Sequence, residues 1–325
     1  MSGLVSVIMN CYNSDRFLLE AIESVLSQTY QNFEIIFWDN QSEDNSASIV
    51  RSFNDPRIKY VLAPKHTTLG EARFLATERA SGEFIAFLDC DDEWVPHKLD
   101  VQVSAMSNPK YGFCYAGIVR RDHKGQFLQN WVPEAKSGYI FSDLINYFNV
   151  DMLTPVIRSS VMKTLNITFN PKMVACEEVN LFLRLSLHCE AVVLDQVLGM
   201  SRRLPNSLTK TASGKIYIDL QATTEQLISE NSSIETKFTR EIEHLRFKTL
   251  YHQCRWLMEE NEHKKAKELM ESSSFDASLF KVLRFLVKST TAWNIAHNVT
   301  DRLPYLKRFS LRVIFEAIGA KPKND

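Results

Sequence analysis

Four short runs of branched and aromatic residues, at 4–9, 33–38, 57–62 and 84–88, alternate with segments whose apolar residues recur at helical spacing. This alternation is the strongest constraint on the fold. A strand followed by a helix returns beside its predecessor as a parallel neighbour, so the pattern predicts an α/β sheet with crossover helices. The first helix is expected to bury Leu18, Ile22, Val25 and Leu26, with Ser14 or Asp15 capping it. A second helix should open within 42–48, and a third should span 70–80 and end at Ser81-Gly82. Residues 111–205 mix short strands with short helices, and from about Tyr217 the pattern is helical.

Ligands of open α/β sheets bind beyond the carboxyl ends of the strands. Three such ends carry polar loops here, at 10–13, 39–44 and 89–92. The chemistry of these loops excludes several common α/β enzymes. Asn10-Cys11-Tyr12-Asn13 contains no glycine, so the backbone turn that cradles a dinucleotide pyrophosphate is missing. Neither a GxxxxGK[ST] phosphate loop nor a GxSxG nucleophile elbow occurs. What remains is Asp89-Cys90-Asp91-Asp92 at the end of a buried strand. An Asp-x-Asp there presents hard oxygens, which suit Mg²⁺ or Mn²⁺, and such ions are held by one or two carboxylates plus substrate phosphates. Strand-end acids that merely cap a turn would look the same in isolation, so the surrounding order of motifs decides.

That order resembles family 2 glycosyltransferases. Val5 to Asn13 is similar to the family's opening strand and loop, and 21–30 to its first helix. Residues 34–46 resemble the second strand and acidic loop, and Arg73 with 80–92 the stretch that ends in the metal motif. Glu177-Glu178 followed by 181–185 resembles the later acidic motif. The likeness spans roughly residues 4–205. It departs at Asn10, where the family has proline, and at Glu178, where the family has aspartate.

The resemblance implies a GT-A fold: a Rossmann-like mixed sheet flanked by helices, followed here by an α-helical C-terminal region. It implies a nucleotide-diphosphate sugar as donor, a UDP-sugar in particular. Tyr12 would flank the base, with Asn10 and Asn13 lining the pocket. Asp39 would accept from the base's ring N–H, and Arg73 would contact the base or the diphosphate. Asp89 would lie near the ribose and metal, Cys90 would belong to the same nucleotide-sugar-binding turn as a small side chain, and Asp91, with Asp89, would ligate Mn²⁺ or Mg²⁺. Glu178, with Glu177 as the alternative, would be the general base of an inverting transfer. On spacing alone, the two acids also complement the dipole at the start of a helix. Arg202, Arg203 and Lys210 flank 204–207, read either as a segment that closes over the diphosphate or as a solvated loop.

Charge is divided unevenly. Residues 281–325 carry nine Lys/Arg against three acids, net +6, whereas 1–280 carry −7. Lys281, Arg284 and Lys288, and then Arg308 and Arg312, recur at helical spacing beside apolar residues. Such helices either lie on an anionic membrane surface or pack on the catalytic domain with their charges in water. The division places a catalytic domain at 1–215 and a helical region at 216–325. With a net charge of −1 and no basic stripe along the body, nucleic acid is not an expected partner. Six cysteines without a CxxC pair, no apolar run long enough to span a bilayer and no signal-like N-terminus predict a reduced, cytoplasmic chain, with peripheral membrane contact through 281–325 on the first reading of the tail. The acceptor expected is a glycan or a lipid-linked glycan. Two other functions compete: a non-catalytic nucleotide-sugar-binding protein and a sugar nucleotidyltransferase. The latter is disfavoured because no glycine- and arginine-rich loop follows the first strand.

Overall fold

A computed structural model describes residues 3–204 and 213–273, together with Leu286 and Trp293. Five strands open the chain: β1 (Val5–Cys11), β2 (Phe33–Asp39), β3 (Ile58–Leu62), β4 (Phe84–Phe87) and β5 (Glu93–Trp94). Between them lie helices α1 (Asp15–Leu26), α2 (Ser46–Ser52) and α3 (Leu69–Thr77). Then follow α4 (Lys98–Ala105), β6 (Tyr111–Asp122), β7 (Phe127–Trp131), α5 (Phe141–Asn146), β8 (Val156–Arg158), α6 (Ser159–Leu165), α7 (Glu177–Ser186) and β9 (Glu190–Arg203). Helices α8 (Ser213–Glu230), α9 (Ile234–Lys237), α10 (Thr239–Glu259) and α11 (His263–Ser272) complete the described chain.

The described strands form one mixed sheet in the order β3-β2-β1-β4-β8-β6-β9-β5, with β7 paired to β6. β1, β2, β3 and β4 are mutually parallel, in the registers Ile8↔Ile36, Ile8↔Phe87 and Ile36↔Lys59. Their carboxyl ends therefore open at one edge, which gathers the 10–13, 39–44 and 89–92 loops. β8 runs antiparallel to both β4 and β6, and β5 antiparallel to β9.

Strand alternation sends side chains to two apolar layers. Ile8, Ile36, Trp38, Ile85 and Phe87 join Phe113, Phe169, Leu181 and Phe182 on one face, together with Leu220 and Leu227 of α8. Val7, Met9, Cys11, Phe37, Ala86 and Leu88 pack on the other face with Leu18, Ile22 and Val25 of α1. Burial on both faces explains why the sequence reads as continuous apolar runs rather than as alternation. A third, smaller cluster joins α10 and α11 through Cys254, Leu257, Met258 and Met270.

Several expectations shift in detail. α2 begins at Ser46, inside the expected 42–48 window. The N–H groups of Ser42 and Glu43 are already taken by Asp39 and Asn13, so the chain stays a loop there. α1 has no side-chain cap, because the Ser14 hydroxyl bonds back to the Tyr12 carbonyl instead. α3 stops at Thr77, three residues before the expected end at 80. Besides the expected short strands β7 and β8 and short helices α5 and α6, 111–205 contains two long strands, β6 and β9, paired in parallel through three register shifts. Those irregularities broke the period that would have marked them in the sequence. The helical region starts at Ser213, and the expected boundary at 215/216 falls inside α8. The basic segment 281–325, apart from Leu286 and Trp293, and Lys210 lie outside the described residues. No described helix is long and apolar enough to cross a membrane.

Candidate active site

At the carboxyl edge of the sheet, β1 and β2 finish side by side, with Cys11 opposite Asp39. Asp39 is buried at 1% exposure; Ser42 donates its N–H to Oδ1 at 2.8 Å and the Tyr60 hydroxyl donates to Oδ2 at 2.6 Å. Tyr60 is correspondingly hard to ionise, pushed up to about 12 by burial and then by its bond to Asp39. Asn13 adopts the left-handed conformation (φ 49°) and its side chain accepts the Glu43 N–H at 2.8 Å. A short polar side chain tolerates that conformation best. Tyr12 is 49% exposed and its ring lies 4.2 Å from that of His66. His66 is in turn fixed by the Asn40 carbonyl, 3.0 Å from its Nδ1. An exposed aromatic pair at a strand end is a platform for a flat heterocycle. His66 and Tyr60 had no signature in the sequence.

The acidic cluster forms next to it. Asp89 follows β4 and pairs with Arg73 Nη2 at 2.9 Å. Arg73 comes from α3, is almost fully buried, and holds Glu177 through its other terminal nitrogen. It thus links the 89–92 turn to the start of α7. Burial works against the charge on Arg73, but Asp89, Glu177 and Glu178 more than offset it and keep its pKa above the usual value. Arg73 is therefore a buried, doubly paired cation rather than a solvated helix-face residue.

Asp91 is pushed up to about 6, by burial first and then by Asp89. Asp92 is raised further by burial, Asp91 and Asp89, and Asp151 is also raised by burial, against the pull of Arg120 at 3.4 Å. Three carboxyls raised together beside Asp89 are a set of hard oxygens short of positive charge. Their donor chemistry fits Mg²⁺ or Mn²⁺. Among the described residues no group of three His, Cys, Asp or Glu side chains converges as a metal cage. A site built from Asp89 and Asp91 and completed by phosphate oxygens is the arrangement expected of Mg²⁺. Cys90 points the other way: its Sγ donates to the Asn10 carbonyl at 3.3 Å and packs in the apolar layer with Leu88 and Cys11.

Arg202 clamps this turn from β9. Its N–H reaches Asp92 Oδ1 at 2.8 Å, its Nε reaches the Asp91 carbonyl at 3.1 Å, and its Nη2 reaches Glu20 and Glu93 at 2.8 and 2.7 Å. Its guanidinium also lies 4.0 Å over the Phe17 ring. Arg202 is a fixed strand residue and not part of a solvated loop. Asp92, Asp151 and the anchoring side of Arg202 escaped sequence reasoning; of these only Asp92 had a signal, its place in the acidic run.

Glu177 and Glu178 occupy the first turn of α7 and differ sharply. Glu177 is 2% exposed and locked to Arg73, and its Oε2 is buried with no hydrogen-bond partner among the described residues. Glu178 is partly exposed. Burial, and then the Glu177 carboxylate, push its carboxyl up to about 8, while Arg73 pulls the other way.

The mixed sheet, with its polar loops gathered at one edge and its C-terminal helices, has the GT-A architecture, and comparison with known proteins agrees on that fold. Residues 6–163 match the sequence profile described as Glycosyl transferase family 2. The domain that these residues form belongs to glycosyltransferase family 2. It is 34% identical over 166 residues to the Escherichia coli UDP-Glc:alpha-D-GlcNAc-diphosphoundecaprenol beta-1,3-glucosyltransferase WfgD; the match covers 51% of this chain and 64% of that protein. Staphylococcus aureus TarS 1-349, solved in complex with UDP-GlcNAc, shares the fold with a TM-score of 0.62 and 16% identity over 92% of this chain and 91% of that one. The mannosyltransferase PcManGT of Pyrobaculum calidifontis, in complex with GDP-Man and Mn2+, superposes with a TM-score of 0.59 and 12% identity, covering 91% of this chain and 87% of that one.

Proposed function

We propose that the chain transfers a sugar from a UDP-sugar to a hydroxyl of a lipid-linked glycan, with inversion and with assistance from Mn²⁺ or Mg²⁺. The observation that carries this reading is the division of labour between Glu177 and Glu178. One acid is buried and spent on an ion pair with Arg73, and the other is accessible and poised to exchange a proton near neutral pH. The WfgD name supplies the donor and the acceptor class.

Tyr12 and His66 flank the base. Asp39 forms the floor of the base pocket; its bonds to Ser42 and Tyr60 use one lone pair on each oxygen and leave acceptor capacity for the base's ring N–H. Asn10 and Asn13 line the loop beside it. Arg73 keeps Asp89 oriented toward the ribose and metal side. Asp89 and Asp91 would hold the divalent ion, which supplies neutralising charge to the departing diphosphate. Glu178 removes the proton from the acceptor hydroxyl as that oxygen bonds to the anomeric carbon. The bond from carbon to phosphate oxygen breaks with its electron pair on the nucleotide, and attack from the opposite face inverts the centre. A base near the working pH combines adequate basicity with an adequate ionised fraction.

A panel of UDP, GDP, UDP-glucose and UDP-GlcNAc in thermal-shift and nucleotide-release assays, with Mn²⁺ or chelator, tests this reading. Stabilisation by uridine nucleotides and release that ceases on chelation are expected. Turnover that persists with the metal chelated contradicts the roles of Asp89 and Asp91.

A further inference from the structure

Glu178 projects from the first turn of α7, so its aim depends on the backbone that enters that helix. Cys176 occupies the N-cap position and makes no side-chain cap. The missing acceptor comes from forty residues downstream. Asp219, on α8 and 3% exposed, receives three successive backbone N–H groups on one carboxylate oxygen: Val174 at 2.9 Å, Ala175 at 2.6 Å and Cys176 at 3.0 Å. A carboxylate collecting adjacent backbone donors at a helix start fixes both the entry angle and the electrostatics of that end.

The preceding segment is pinned from the opposite side. The Thr68 hydroxyl donates to the Pro171 carbonyl at 3.2 Å. A Cβ at Gly70 would stand 2.6 Å from the Met173 carbonyl oxygen, so α3 approaches this loop as closely as only glycine permits. Residues 170–176 are therefore gripped between α3, which carries Arg73, and α8, which carries Asp219.

We propose that Asp219 is a positioning residue for the transfer reaction: by anchoring the 174–176 backbone it aims the Glu178 carboxylate at the acceptor hydroxyl. This rests on the reading of Glu178 as the base. The rest of the α7–α8 seam does not depend on Asp219. Arg184 forks onto Glu230 with two 2.8 Å contacts, Asn180 donates to Gln226 at 2.9 Å, and Leu220 and Leu227 remain packed on the core. Loss of Asp219 is thus a local change in the loop rather than a loss of the helix.

The charged and titratable groups that face Glu178 are Glu177 and Cys176 on its own segment, Arg73 from α3 and Asp89 after β4, with Asp219 behind the loop. Removing Asp219 deletes a negative charge and frees three N–H groups, and both changes favour ionised Glu178. The acidic limb of the kcat profile should then move to lower pH even as kcat falls.

The test compares Asp219→Ala, Asp219→Asn, Glu230→Gln and Glu178→Gln in the full chain, following UDP released from UDP-glucose. Asp219→Ala should lower kcat by about 10- to 100-fold, the scale of an ångström misplacement. The KM for UDP-glucose should stay within about twofold, and the acidic limb should shift downward. Asp219→Asn keeps an acceptor oxygen and should recover part of the rate. Glu230→Gln should lower Tm without moving kcat or the limb. If Asp219→Ala leaves kcat and the pH profile unchanged, or behaves like Glu230→Gln, the inference is overturned. If Glu178→Gln retains full turnover, the reading of Glu178 as base fails instead.

Discussion

The nucleotide half of the site and the catalytic half are built in different ways. Around β1–β4, the candidate residues other than Arg73 lie within a few positions of the strand that delivers them: Asn10 and Tyr12 at β1, Asp39 at β2, Asp89 and Asp91 after β4. Parallel pairing then brings these ends together as a consequence of fold alone. Around α7, position depends on partners far away in the chain. Glu177 is held by Arg73, 104 residues earlier, and the loop ahead of it by Asp219, 43 to 45 residues later. A site can thus have one half encoded locally, tolerant of change elsewhere, and another half that is a property of tertiary contacts.

Substitutions should expose this difference, and the largest effect is expected where the two halves meet. Arg73→Met removes the only described cation paired with Glu177 and leaves that acid buried and uncompensated. Breaking a buried pair in this way costs about 3–5 kcal/mol, read as a lowered denaturation midpoint. A stability within 1 kcal/mol of wild type would show that the two halves are not joined through this residue. Asp91→Asn should leave folding intact and reduce turnover at saturating Mn²⁺ by roughly a hundredfold, the scale of a few kcal/mol of lost charge stabilisation. Tyr12→Ala should act on the nucleotide half alone, weakening UDP binding by about 1–3 kcal/mol as a lost stacking partner does, with kcat little changed. A change confined to kcat would erase the proposed separation. The smallest effect is expected for Glu230→Gln. It removes the charge from the Arg184 pair, a third of which faces water on the glutamate side, and should cost at most about 1 kcal/mol.

The same contrast explains what the sequence could reveal. The apolar runs of β1–β4 and the polar loops that follow them are local signals, and the α/β sheet with crossover helices and the acidic strand end were legible from them; the mixed GT-A sheet was legible only through the resemblance that the motif order carried. The order of motifs carried the family. Glu177 and Glu178 were visible as a pair, but their opposite environments were not, because burial of Glu177 depends on Arg73. Asp151 and Asp219 stand in segments with no motif and act only after residues from other elements reach them. β6 and β9 were hidden by their register shifts, and Arg202 looked like a loop residue because the strand that carries it is irregular.

A pH dependence follows from Glu178. As the base it must lose its proton, so kcat should rise with pH through a limb near 8, where burial and Glu177 hold its carboxyl. The sign for stability is the reverse. The folded state retains this proton where the unfolded chain has released it, so wild type loses stability as pH rises from the ordinary carboxylate range to about 8. Glu178→Gln, which stays neutral, should gain relative stability over that window and level off above it, as measured by denaturation at several pH values.

The central claim is most directly tested by the pH–rate profile of the wild type beside Glu178→Gln, followed as UDP released from UDP-glucose at saturating Mn²⁺. The wild-type kcat should rise through a limb near 8. The variant should be slower by about 10²–10⁴-fold, with no such limb and an unchanged KM for UDP-glucose. A variant that turns over at the wild-type rate, with the limb still present, would contradict that claim.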